Sequence, residues 1–221
     1  MGESSETTVV GIDVGGNRKG YHAVALRDGQ LEPKHFLEAS DVRDWCRHQA
    51  ARCVALDAPC AWAASGGARL AERSLAVGGC KIQCFKTPTR AAAKGRAFFE
   101  WVFSGESLYQ CLQTDYQLFD GPALGSKIMF ETFPHAVVCS LVGRVIPARS
   151  KASTRRRILR DLGYDESRLG NIDFVDAALC AVAAERFLHG KTRAFGDSAE
   201  GYILVPDYEA APESGAAVVF A

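Results

Sequence analysis

The chain predicts an α/β fold: a mixed central sheet that opens with an antiparallel meander and carries helices on its faces. Three observations lead there. Strand-like runs stand in succession near the start, over residues 8–14, 21–26 and 30–37. A short, continuously apolar run at 53–56 follows a helical stretch and reads as a strand buried on both faces. A late alanine-rich helix, beginning after Asn171, has the small side chains that let a helix lie close against a sheet.

Residues 8–14 are β-branched and apolar and stop at Gly15-Gly16. The second and third runs are joined by Asp28-Gly29, a strong hairpin signal. Ser40 reads as the N-cap of a helix ending near Ala50. Reaching 53–56 through that helix implies a right-handed crossover onto the same sheet. After Pro59 the pattern loosens, and 61–126 is expected to be an insertion between two strands that forms a lid or wall over the site. Within it, Gly66-Gly67 and Gly78-Gly79 bracket a short helix at 68–76, 81–95 is loop-rich, and 107–118 reads as another helix. The next strand is 127–133, and Pro134 suits the first position of the helix that follows, 135–142. A basic helix at 154–162 ends at Gly163, and Asn171 caps a final long helix closed by Gly190. One more strand candidate is 202–205. Residues 1–8 are expected to be a disordered start and 207–221 a frayed tail, leaving 9–206 as one domain.

At 221 residues with 48% apolar content, one well-filled core is expected. The 26 basic and 26 acidic residues cancel, so no global field recruits a charged partner. Locally, 144–160 holds seven Lys or Arg without an acid, and 81–96 holds five. Such runs are either solvated faces or phosphate-binding surfaces. Residues 1–8 are polar and acidic, unlike a signal peptide, and no apolar run reaches membrane-spanning length. The eight cysteines sit mostly in apolar surroundings, and Cys80 with Cys84 lacks the second pair that a zinc site needs. A reduced, cytoplasmic, soluble protein without a membrane partner is expected.

Acids stand at the breaks of several of these elements. Asp13 ends the first strand, Asp57 the buried fourth, and Glu131 precedes the break at Pro134. Asp173 and Asp176 lie three residues apart, on one face of the last helix. Each has a local reading: a turn residue, a strand terminator, a cap, or an acid favoured by the helix dipole. Together they give the carboxylates that a divalent-metal site needs. The element order matches the ribonuclease-H-like fold. Its best-studied enzymes hold two metal ions between an acid of the first, central strand and acids of a neighbouring strand and a late helix.

Val10-Gly-Ile-Asp13, Leu56-Asp57-Ala-Pro59, Phe130-Glu131-Thr-Phe-Pro-His135 and Asp173-Phe-Val-Asp176-Ala-Ala-Leu-Cys-Ala181 resemble the family catalogued as domain of unknown function 429. That family is described as predicted ribonuclease-H-like nucleases. The resemblance runs from about Val9 to the segment Gly201-Tyr-Ile-Leu-Val-Pro206. It implies that Asp13, Asp57 and Asp176 correspond to the acids of the wider superfamily, while Glu131 belongs to a family motif without an assigned role. The bacterial junction resolvases carry an acid or histidine three residues before their last aspartate, which makes Asp173 a further ligand.

The expectation is therefore a nuclease that hydrolyses phosphodiester bonds with Mg²⁺ or Mn²⁺. Its catalytic set is Asp13, Asp57, Glu131 and Asp176, and its metal ligands are Asp13, Asp57, Asp173 and Asp176. Nucleic acid is the expected partner, with Lys86, Arg90, Lys94 and Arg156 as candidate backbone contacts; a dimer is left open. Arg155, Arg156 and Arg157 cannot all face one way on a helix, and Arg69 with Glu72 reads as an i,i+3 pair. The alternative is a non-catalytic module that binds a nucleotide or nucleic acid in the same cleft. Asp13-Val-Gly-Gly16 also resembles the phosphate loop of actin-like ATPases, but those need two such domains, and a Walker-type loop is absent. His135 is read as a packing residue; His22, His35, His48 and His189 show no ligand-like spacing.

Overall fold

The computed structural model describes residues 7–121, 126–147 and 151–208. The expected disordered start and frayed tail fall mainly outside these residues. The meander forms as expected from β1 (Val9–Val14), β2 (Tyr21–Arg27) and β3 (Gln30–Phe36). Asp28 and Gly29 both have positive φ, 49° and 75°, which a two-residue hairpin loop of matching twist requires. Helix α1 (Ala39–His48) leads into β4 (Cys53–Asp57). Its N-cap position is Glu38, so Ser40 lies inside the first turn and caps nothing.

Next come α2 (Leu70–Ser74), the two-residue strands β5 (Ala76–Val77) and β6 (Cys80–Lys81), and α3 (Arg90–Ala93). A 3-10 turn, Ala97–Phe99, then opens α4 (Glu100–Leu112), and β7 (Gln117–Leu118) follows. Helix α4 starts and ends earlier than 107–118 because the Glu100–Leu112 stretch buries Val102, Leu108, Tyr109 and Leu112 in the core, while 117–118 pairs along the sheet. The second half of the expected insertion is thus the crossover helix between parallel strands, and only its first half is added over the sheet edge. β8 (Ile128–Glu131), α5 (Pro134–Leu141), α6 (Lys151–Asp161) and α7 (Ile172–Leu188) match expectation, with Pro134 in the first turn of α5 and Asn171 capping α7. The last two strands are β9 (Thr192–Asp197) and β10 (Gly201–Pro206). β9 escapes sequence reading because it is a half-exposed edge strand without apolar alternation.

The sheet order is β3-β2-β1-β4-β8-β10-β9, with β7 also paired to β8. β1 is antiparallel to β2 and parallel to β4, and β4 is parallel to β8. A three-strand meander whose first strand borders successive parallel strands is the ribonuclease-H-like arrangement. Helices α5, α6 and α7 cover one face, packing on Val9, Val24, Cys53, Ala55 and Phe130. Helices α1 and α4 cover the other, packing on Val10, Ile12, Ala23, Val54, Leu56 and Met129. Side chains alternate between faces. Asp13, His22 and Asp57 therefore share the α7 face, and Glu131 shares the opposite face with Met129.

Close contact between α7 and β1 fixes one glycine. A Cβ at Gly11 would overlap the Ala177 carbonyl and the Ala181 amide. The small residues of α7 thus bring its first turns down onto the ends of β1 and β4. Among the described residues, no helix is long and apolar enough to cross a membrane.

Candidate metal centre

Asp13 and Asp57 are Cα partners at the carboxyl ends of neighbouring parallel strands and point to the same face. Asp176, on the second turn of α7, comes down beside them. Asp13 and Asp176 are 8% and 5% exposed. Burial raises Asp13 to about 7, helped by the charges of Asp176 and Asp173 and opposed by Lys19. Burial also holds Asp57 well above the carboxylate range, with Asp13 and Asp176 adding to it. Asp176 is raised by burial against the pull of Arg155. Three acids crowded together with raised pKa values gain from nearby positive charge.

Cations come from both sides. Lys19 Nζ lies 2.7 Å from Asp173 Oδ1 and 3.6 Å from Asp13 Oδ2. Its stem lies across Gly15, where a Cβ would overlap it. On the α6 side, the buried Arg155 pairs with Asp176, and Lys151 Nζ stands 3.8 Å from Asp176 Oδ2.

His22 is the residue that sequence reading missed. Spacing along the chain hides it, but the hairpin register sets it opposite Asp13. Its Nε2 is 4.0 Å from Asp173 Oδ2, and burial lowers its pKa, which keeps the ring neutral. Asp13, His22 and Asp173 each offer one ligand atom, all within 4.8 Å of one another. Asp13 Oδ2 and His22 Nδ1 are buried without a hydrogen-bond partner among the described residues. Two carboxylates, one with an oxygen that no hydrogen bond takes up, and an imidazole fit a divalent cation.

Glu131 does not join this group. It faces the other side of the sheet, where Arg69 grips it with Nη2 to Oε1 at 2.6 Å and Nη1 to Oε2 at 2.7 Å. The Cys60 amide donates to the same Oε2 at 2.8 Å. Arg69 is fully buried and also donates to Glu72, at 2.9 Å. Glu72 further accepts the Thr87 amide, at 2.9 Å. The expected Arg69–Glu72 pair is real, but it is part of a buried anchor that ties β8 to the first half of the insertion. The Glu131 oxygens are spent there.

Between the two faces lies a cavity of about 200 Å³ lined by Asp57, Pro59, Arg69, Glu131 and Phe133, with Phe85 and Trp101 as its wall. That wall comes from the segment after β6 and from α4.

The basic candidates scatter. Lys86 and Lys94 are exposed. Arg90 forks onto Glu106 and lies over the Phe103 ring. Arg156 binds Glu166 at 2.7 Å and the Leu169 carbonyl, holding the turn before α7. His135 packs on α5 with its Nε2 3.7 Å from Cys139 Sγ.

A search of curated proteins finds no match. A solved structure of Thermus thermophilus RuvC is similar at 16% identity with a TM-score of 0.42, over 83% of this chain and 97% of that one. The family model described as a protein of unknown function, DUF429, matches residues 11–201, a span that holds every acid discussed above. The chain belongs to that family.

Proposed function

We propose that the protein is a divalent-metal-dependent nuclease that hydrolyses phosphodiester bonds, with Mg²⁺ or Mn²⁺ as its cofactor. One observation carries the reading: Asp13, Asp57 and Asp176 are brought from three distant segments to one point, where burial and mutual repulsion raise their pKa values. Structural acids are normally satisfied, as Glu131 is here. Asp13, Asp57, Asp173 and Asp176 would hold the metal, which supplies charge neutralisation at the phosphoryl oxygens of the substrate. Lys19 and Lys151, at the exposed rim, suit a phosphate backbone.

A second reading is a non-catalytic nucleic-acid-binding module. The buried Arg155–Asp176 pair favours it, because one acid already has its cation. A panel of single-stranded, duplex and branched DNA and RNA, incubated with Mn²⁺ or Mg²⁺, separates the two. Metal-dependent cleavage by the wild type that disappears in Asp13→Asn establishes the nuclease. Binding without cleavage, equal in both proteins, establishes the module.

A further inference from the structure

We infer that the metal enters on the meander side of the site, with His22 as its nitrogen ligand and Lys19 as the cation it displaces. The inference rests on the metal-dependent reading above and goes beyond it by naming a ligand and a metal preference.

The tautomer of His22 is set by its neighbour. Asn171 Oδ1 accepts the Phe174 amide at 3.0 Å to cap α7, so its Nδ2 faces His22 Nε2, 3.4 Å away. An amide NH₂ is a donor only, so Nε2 carries the lone pair, which takes this long hydrogen bond until a metal replaces it, and Nδ1 carries the proton. That lone pair shares its space with Asp173 Oδ2, 4.0 Å away. Two electron-rich atoms held this close gain from a cation between them. The ring is also fixed in place, against His35 at 4.7 Å and the edge of Phe174 at 4.8 Å between centroids.

The resident cation is replaceable. Lys19 has a side chain 47% exposed and can swing into water while keeping its charge solvated. Arg155 has a side chain 6% exposed and cannot leave Asp176 without stranding two buried charges. Entry is therefore at Lys19. An imidazole among carboxylates shifts preference away from Mg²⁺, which favours oxygen, toward Mn²⁺ and its later neighbours.

The test is a titration of Mn²⁺ into the full chain without nucleic acid. It is read by calorimetry and by the pulsed-EPR signature of a directly bound imidazole nitrogen. The expected result is that signature in the wild type and its loss in His22→Gln, with Mn²⁺ affinity down at least about tenfold. Lys19→Met should tighten Mn²⁺ about thirtyfold, the gain from removing a unit charge near 4 Å from a dication in water-like surroundings. Mn²⁺ bound without the nitrogen signature overturns the inference, as does a Lys19→Met affinity that is unchanged or weaker. Neither result touches the nuclease reading, which stands or falls on cleavage and Asp13→Asn. Absence of Mn²⁺ binding by the wild type also overturns the inference, and the cleavage panel then judges the nuclease separately. Because the signature is read on the wild type, misfolding of His22→Gln cannot shelter the idea.

Discussion

The two faces of the sheet end treat their acids in opposite ways. On one, Glu131 meets a fully buried arginine fork and a backbone amide, and Glu72 meets the same arginine. On the other, Asp13, Asp57 and Asp176 crowd together and hold their protons above the usual range. Each group joins acids at neighbouring strand ends, Glu131 or Asp13 and Asp57, to an acid of a nearby helix, Glu72 or Asp176. The satisfied group stabilises the fold, whereas the crowded group costs stability and gains from a cation.

The largest expected effect tests the satisfied face. Arg69→Leu leaves two carboxylates buried without their partner and should cost about 3–5 kcal/mol in urea unfolding. A loss below about 1 kcal/mol would erase the contrast.

The crowded face should show itself in pH. Asp13 has a folded pKa of about 7 against 3.8 in a free carboxyl, so protonation favours the folded state. Its contribution is full below about pH 4 and is lost as pH rises through about 7, by up to about 4 kcal/mol. Asp57 and Asp176 push in the same direction. Metal-free protein should therefore unfold more easily at pH 8 than at pH 5, and millimolar Mn²⁺ should restore the difference. Stability rising with pH over that window would show that Lys19, Lys151 and Arg155 already neutralise the site.

Asp13→Asn sharpens the contrast further, since it should lower cleavage at least about a hundredfold, or about 2.7 kcal/mol, while raising metal-free stability at pH 8. A variant both inactive and less stable would make Asp13 a structural acid like Glu131. The smallest effect belongs to Asn171→Ala. Loss of the cap on Phe174 should cost about 1 kcal/mol, whereas Ser40→Ala should change stability by no more than about 0.5 kcal/mol.

Much of the fold was legible because it is written locally. Asp28-Gly29 makes its turn from two residues, Pro134 opens α5, and Asn171 caps α7 three residues away. The strand-end acids Asp13 and Asp57 could also be read, since an apolar run ending in a carboxylate needs no long-range information. The start of α4 was misplaced because its core-facing stripe gains meaning only against α1 and β1.

By itself the sequence determined the meander, the crossover strand, the alanine-rich helix and the acids that crown them, because turn chemistry, capping and apolar periodicity act within a few residues. Tertiary structure alone decided which acids meet. β8 is apolar on both faces before Glu131, so nothing within the strand says which way that carboxylate points. Pairing with Arg69 spans 62 positions, and the salt bridge of Lys19 to Asp173 spans 154. His22 reaches the site only through hairpin register. Contacts at such separations follow from how sheets and helices pack, and packing is a property of the whole chain.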